Sequence, residues 1–156
     1  QTVGAAKVAL FWGMMTVGGI HGLFLLKFVD SRRVLVSFTG SALLFLTIGL
    51  FGPGPLAKLA FPLVGFAAAV MWPVIFSLAL NSVARHHGSF SGILCTGIIG
   101  GALVPLLIGR LGDAFGLRQG MLVLYVTLGY ILSIGLWARP LIANKTISLR
   151  KKKEAP

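Results

Sequence analysis

Few residues in this chain of 156 amino acids have side chains suited to acid–base, nucleophilic or metal chemistry. They are three acids, three histidines and one cysteine: Asp30, Asp113, Glu154, His21, His86, His87 and Cys95. A single cysteine excludes a disulfide framework and a multi-cysteine metal site. The adjacent pair His86 and His87 has no carboxylate or thiol near it in sequence, so we expect no metal site there. Because P-loop and Gly-x-Ser-x-Gly patterns are absent too, we predict that the protein is not an enzyme and holds no metal or cofactor.

Trp72 and Pro73 indicate a different kind of chemistry, the binding of a small molecule inside an apolar segment. A proline in the middle of a helix removes a backbone hydrogen bond and clashes with the preceding turn, so the helix kinks. Kinked helices near the bilayer centre commonly line cavities. The indole ring of Trp72 can stack on a sugar, and its N–H can donate to a hydroxyl. Packing of Trp72 against lipid or a neighbouring helix is the alternative interpretation.

The chain that carries these residues is too apolar for a soluble domain. Hydrophobic residues make up 56% and charged residues 11%, and the mean hydropathy is +0.94, whereas soluble domains are about 25% charged. Five stretches without Asp, Glu, Lys or Arg are each long enough to cross the hydrocarbon layer as a helix: 8–26, 34–51, 59–80, 91–108 and 121–138. We therefore predict an all-α fold, a polytopic transmembrane helical bundle with five membrane-spanning helices in 1–141 and a basic tail in 142–156.

The net charge of +11 fits a membrane protein better than a nucleic-acid-binding protein, because the basic residues lie between the apolar stretches. Short connections make successive spans alternate in direction, so one face receives ten basic residues: Lys27, Arg32, Arg33, Arg85, Arg139, Lys145, Arg150, Lys151, Lys152 and Lys153. The other face receives Lys7, Lys58, Arg110 and Arg118. The positive-inside rule then predicts a multi-pass protein of the inner (plasma) membrane with a cytoplasmic C terminus. We expect the lipid bilayer, and no nucleic acid, as a partner.

Small residues at four-residue spacing predict close helix packing. One pair is Gly18 and Gly22 in the first span, and a longer row in the fourth span contains Gly97, Gly101 and Pro105, with Gly100 beside it. Static packing and a sliding contact in a protein that changes shape both remain consistent with this spacing.

An ordered set of residues in 71–117 has the pattern of a known transporter family: Trp72, Pro73, Ile75, Phe76, Ser77, Leu78, Gly88, Ser89, Gly100, Gly101, Pro105, Gly109 and Asp113. This set resembles the C-terminal half of the fucose/galactose/glucose:proton symporter family of the major facilitator superfamily. In 18–33, Gly18 and Gly22 also match the family, and Lys27, Arg32 and Arg33 form the basic cytoplasmic loop that follows. Gly19 stands where the family usually has arginine, which puts a charge-based gating contact there in doubt.

The resemblance implies a partial major facilitator fold, the last five of twelve helices, in a monosaccharide:proton symporter that works by alternating access. It implies that Trp72 contacts the substrate, with Met71 and Phe76 on the same wall. The family's proton-linked acid is expected in the missing N-terminal half, since none of the five spans contains a carboxylate.

The first residue is Gln1 and the first span begins soon after it, so we expect the chain to be a fragment. Two alternatives stay open: a major facilitator carrier of a non-sugar substrate, and a small membrane scaffold subunit that does not transport. The identity of the sugar, proton or sodium coupling, the natural or artificial origin of the truncation, and the oligomeric state are not determined by the sequence.

Overall fold

In the computed structural model, the described residues are 2–141, and within them every regular element is a helix. The α-helices are α1 (Thr2–Leu26), α2 (Ser31–Phe51), α3 (Gly54–Ala68), α4 (Met71–Leu80), α5 (His87–Thr96), α6 (Gly100–Phe115), α7 (Leu117–Gly120) and α8 (Val123–Trp137). A 3-10 turn, Gly97–Ile99, joins α5 to α6. The predicted basic tail, 142–156, lies outside the described residues.

These helices combine into five segments that are long and apolar enough to cross a membrane: Gly4–Leu26, Ser31–Phe51, Gly54–Leu80, His87–Phe115 and Leu117–Trp137. The third span consists of α3 and α4, the fourth of α5, the 3-10 turn and α6, and the fifth of α7 and α8. The prediction of an all-α fold with five membrane-spanning helices is therefore confirmed.

The connections between spans are short, and specific hydrogen bonds satisfy the helix ends beside them. Asp30 caps α2, where its carboxylate accepts a hydrogen bond of 3.2 Å from the backbone N–H of Arg32. At the other end of α2, the N–H of Gly52 donates to the carbonyl of Ile48 at 2.8 Å, and Pro53 then starts α3. Such tight connections make consecutive spans antiparallel.

Helix α2 lies at the centre of the bundle and packs against α3, α4 and α8. It supplies half of the buried hydrophobic core, which consists of Val34, Leu35, Phe38, Ala42, Leu46, Leu50, Ala67, Val70, Met71, Val74, Leu78 and Leu128. Helix α1 packs on α3 at the edge of the bundle. The fourth span has no buried residue, and its main contacts are those of α5 with α4 and of α6 with α7, so α5 and α6 lie at the periphery.

The contact between the first and third spans depends on two small residues. A Cβ atom at Gly18 would lie 2.2 Å from the carbonyl oxygen of Phe66, and one at Gly22 would lie 2.2 Å from Cγ2 of Val70. Real Cβ atoms do not approach other heavy atoms so closely, so any side chain at either position would force these helices apart.

The fourth span extends beyond the predicted apolar stretch 91–108, because α6 continues to Phe115. Gly116 stops the helix in the left-handed region, with φ of +99°, which glycine adopts without strain. The chain then turns back tightly, since a Cβ atom at Gly120 would lie 2.6 Å from the carbonyl oxygen of Ile108. Hydropathy had identified only the apolar middle of a longer helix.

The charge difference between the two faces is small within the described residues. Alternation of the five spans places Lys27, Arg32, Arg33, Arg85 and Arg139 on one face and Lys7, Lys58, Arg110 and Arg118 on the other. The predicted orientation therefore depends on the basic residues of 142–156, and a cytoplasmic C terminus stays a prediction.

Candidate functional site

The third span is interrupted at Ala69 and Val70, a few residues before Pro73. A proline has no N–H to donate to the carbonyl four residues earlier, which here belongs to Ala69, and its ring crowds that carbonyl. Backbone hydrogen bonds are present on both sides of this interruption. The N–H of Ala69 donates to the carbonyl of Gly65 at 3.2 Å, and the N–H of Val74 donates to the carbonyl of Val70 at 3.2 Å. The regular α-helical hydrogen bonding is thus interrupted just before Trp72.

The fourth span is interrupted opposite this point. Helix α5 ends at Thr96, the 3-10 turn occupies Gly97–Ile99, and α6 begins at Gly100. A Cβ atom at Gly97 would lie 4.0 Å from Cη2 of Trp72, an ordinary van der Waals distance. Two interrupted helices therefore meet at the indole ring of Trp72.

A cavity of about 520 Å³ opens between these interruptions. Its apolar lining includes Trp72, Phe76 and Ile98, and the rings of Trp72 and Phe76 have centroids 6.1 Å apart at an angle of 45°. Trp72 remains 45% exposed, so much of its ring is available for contact. Ligand pockets commonly have this composition, an aromatic wall with a few polar groups.

The polar lining of the cavity consists of Ser77, Asn81 and Cys95. Among the described residues 2–141, no Asp, Glu, Lys, Arg or His lines the cavity. Cys95 is exposed and approaches from α5, while Ser77 and Asn81 belong to the third span. A cavity with hydroxyl, amide and aromatic groups but no full charge suits a neutral polar ligand better than an ion.

Of the three predicted substrate contacts, the structure brings Trp72 and Phe76 together in the cavity but not Met71. Met71 is 5% exposed and belongs to the core beside Val74 and Leu78. Residues at i, i+3 and i+7 share one helix face, so Met71 faces the bundle centre while Trp72 lies on the neighbouring face. Adjacent positions on a helix point about 100° apart, which explains the separation.

Sequence reasoning missed Ser77, Leu80 and Asn81 as cavity residues, although spacing contains a signal for them. Leu80 follows Trp72 and Phe76 at four-residue steps, and Ser77 and Asn81 follow Pro73 in the same way. Cys95 and Ile98 were missed without such a signal, because they reach the cavity through the pairing of two different spans.

The predicted kink residue of the third span and the predicted packing residues of the fourth span have different surroundings. Pro73 lines the cavity and Gly97 contacts Trp72, whereas Cβ atoms at Gly100 and Gly101 would meet no atom of the described residues within 4 Å. Pro105 lies inside α6, whose residues are all at least partly exposed.

Of the three residues predicted in a basic loop, Lys27 lies between α1 and α2, whereas Arg32 and Arg33 belong to the first turn of α2. The side chain of Arg32 links this turn to the end of α8. Nε of Arg32 donates to the carbonyl of Gly135 at 2.9 Å, and its Nη2 donates to the carbonyl of Leu136. The last carbonyls of a helix have no partner within it, and a cation there also interacts favourably with the helix dipole. Lys27 and Arg33 are exposed, and Arg33 lines a second cavity of about 610 Å³ beside Arg32.

Within residues 2–141, no group of three or more His, Cys, Asp or Glu side chains is arranged to hold a metal ion.

The sequence is similar to named bacterial membrane proteins. It is 37% identical over 138 residues to the glucose/galactose transporter of Brucella abortus biovar 1 (strain 9-941). The aligned region covers 87% of this chain and 33% of that protein. It is 33% identical over 135 residues to the membrane protein MosC of Rhizobium meliloti, covering 84% of this chain and 32% of MosC. It is 26% identical over 100 residues to the L-fucose-proton symporter of Escherichia coli (strain K12), covering 64% of this chain and 23% of the symporter.

The chain spans about a third of the length of the curated relatives it matches. No family model matches the sequence, and no solved structure matches it.

Proposed function

Because the chain belongs to the fucose/galactose/glucose:proton symporter family of the major facilitator superfamily, as a partial-length homologue of the bacterial glucose/galactose transporters, we propose that it is part of a monosaccharide:proton symporter. It is a multi-pass membrane protein, and its relatives include a glucose/galactose transporter and an L-fucose-proton symporter, neither of which is an enzyme. We propose that it works by alternating access together with an N-terminal half that supplies the rest of the pathway.

The observation that carries this proposal is the uncharged cavity between the two interrupted helices, with Trp72 at its wall. A monosaccharide presents an apolar ring face and several hydroxyls. The ring of Trp72 offers a surface for the former, and Ser77 and Asn81 offer groups for the latter. Interrupted helices that line a central cavity are a recurring feature of secondary transporters.

Proton coupling requires a carboxylate that this part of the chain does not place inside the bilayer. Asp30 caps the start of α2, and Asp113 lies in the last turn of α6, so both are near the ends of spans. Carboxylates that relay protons lie within the membrane, where they face the bundle interior. We propose that the coupling acid belongs to the N-terminal half of the transporter.

Our proposed location is the inner membrane, with the C terminus and the loop of Lys27, Arg32 and Arg33 on the cytoplasmic side. The support is the positive-inside rule applied to the whole sequence, including the basic residues of 142–156.

The test of this function is the Trp72→Ala variant of the full-length transporter, measured by uptake of radiolabelled glucose and galactose. Loss of the stacking surface should raise the KM for sugar at least tenfold, because burial of a large apolar side chain contributes about 1.5–3 kcal/mol and a factor of ten corresponds to about 1.4 kcal/mol. The matched control is Trp12→Ala, since Trp12 lies on α1, is also exposed and does not line the cavity. Equal kinetics for Trp72→Ala and the parent, with equal membrane expression, would remove Trp72 from the sugar site.

A further inference from the structure

The hydroxyl of Ser77 takes no part in holding the helices together. Serine and threonine side chains inside helices usually donate to a carbonyl three or four residues earlier. Eight hydroxyls within residues 2–141 do so, and the nearest of them in sequence, that of Ser82, donates to the carbonyl of Leu78 at 2.8 Å. The Ser77 hydroxyl has no hydrogen-bond partner among the residues that the structure describes.

An unpaired hydroxyl inside an apolar helix is unfavourable, because lipid offers it nothing to bond. Thr39 is also unpaired, but it is 0% exposed in the core, so no ligand can reach it. Ser77 is only half-buried and lines the cavity of about 520 Å³. Its donor and its acceptor sites are therefore available to a molecule in that cavity.

The position of Ser77 relative to Trp72 suits a ligand that contacts both. The two residues are five positions apart on α4, a rise of roughly 7.5 Å along the helix axis. Both residues line the same cavity, so a sugar ring bound there can contact the indole of Trp72 and the Ser77 hydroxyl together. Stacking depends little on which hydroxyls the sugar carries, whereas a hydrogen bond depends on one of them.

Building on the proposed function, we propose that the Ser77 hydroxyl binds one specific hydroxyl of the monosaccharide and so determines which sugars are accepted. Trp72 provides the general affinity for a sugar ring, and Ser77 provides the discrimination. A site that hydrogen-bonds a hydroxyl disfavours an analogue without it, because a polar group of the protein is then left unpaired.

The experiment measures sugar binding to the full-length transporter and its variants in proteoliposomes. The ligands are glucose, galactose and the set of their monodeoxy analogues, in which one hydroxyl at a time is replaced by hydrogen. The variants are Ser77→Ala, the matched control Ser82→Ala, and Ser77→Cys, which keeps the side-chain volume but has only a weak thiol donor.

We expect Ser77→Ala to weaken binding of the parent sugar three- to tenfold, the range of one neutral hydrogen bond. One monodeoxy analogue should bind the parent protein more weakly than the parent sugar does. The affinity of this analogue should be the same for Ser77→Ala as for the parent protein. Ser77→Cys should show the same pattern, and Ser82→Ala should match the parent protein for every ligand.

Two results would overturn the assignment of Ser77: unchanged binding of all ligands by Ser77→Ala and Ser77→Cys, or equal weakening of the parent sugar and of every analogue. In both cases, the parent protein still binds sugar, and the proposed function stands. Absence of monosaccharide binding by the parent protein would instead contradict the proposed function itself.

Discussion

Replacement of Gly18 by alanine tests the packing of the first span against the third. The added Cβ atom would lie 2.2 Å from the carbonyl oxygen of Phe66, 2.8 Å from its carbonyl carbon and 2.9 Å from its Cα. All three are backbone atoms, so no side-chain rotation relieves the clash. Helix α1 must move away until these distances reach the 3.4 Å of ordinary contact, which opens the interface along both helices.

The expected cost follows from two opposing effects. Overpacking typically destabilises by about 1–3 kcal/mol, and a contact with backbone belongs at the upper end. Alanine recovers up to about 1 kcal/mol through its better helix propensity. We therefore expect Gly18→Ala to lower the free energy of unfolding by about 1–2 kcal/mol. Gly19→Ala is the matched control, because its Cβ would meet nothing within 4 Å and it should be neutral or slightly stabilising.

The assay is reversible unfolding from detergent micelles by increasing sodium dodecyl sulfate, followed by circular dichroism for both variants and the parent. A difference of about 2 kcal/mol between Gly18→Ala and Gly19→Ala supports the helix contact. Equal unfolding free energies for the two variants would refute the close approach of α1 and α3 at this position.

The same unfolding assay tests two polar contacts. Arg32→Ala should lower the unfolding free energy by about 1–2 kcal/mol, because the terminal carbonyls of α8 lose a charged donor. The control variant Arg33→Ala should have no effect. Equal stability of the two variants would argue against the contact of Arg32 with Gly135. Tyr125→Phe should cost about 0.6 kcal/mol, typical of one hydrogen bond between transmembrane helices, because the Tyr125 hydroxyl donates to Oγ1 of Thr47 at 2.8 Å. A Tyr125→Phe variant as stable as the parent would show that this bond is not formed in the membrane protein.

The spans were predictable from sequence because the bilayer imposes both their length and the exclusion of charge. The residues at which the helices begin and end were harder to predict, since a helix continues beyond the hydrocarbon layer wherever the backbone allows it. Helix α1 already begins at Thr2, and α6 continues past Arg110 and Asp113 until Gly116 interrupts it. Hydropathy measures the apolar middle of a helix, whereas backbone geometry determines where the helix ends.

The candidate site was predictable only where it lies on a single helix. Trp72 and Phe76 share a helix face through their four-residue spacing, and the same rule separates them from Met71, which packs in the core. Cys95 and Ile98 join the cavity because the fourth span pairs with the third at this point. Spacing within one helix contains no information about which neighbour it meets, so these residues become visible only in the folded chain.

The most direct test of a sugar site at Trp72 is the alkylation rate of Cys95, the single cysteine of this sequence, which is exposed and lines the same cavity. The full-length transporter is treated with N-ethylmaleimide, and modification of the peptide that contains Cys95 is followed by mass spectrometry. D-Glucose or D-galactose at ten times its dissociation constant should slow the modification about tenfold, because most of the cavity is then occupied, and L-glucose should not. An alkylation rate that is unchanged by saturating D-sugar, in a protein that transports that sugar, would contradict a sugar site in this cavity.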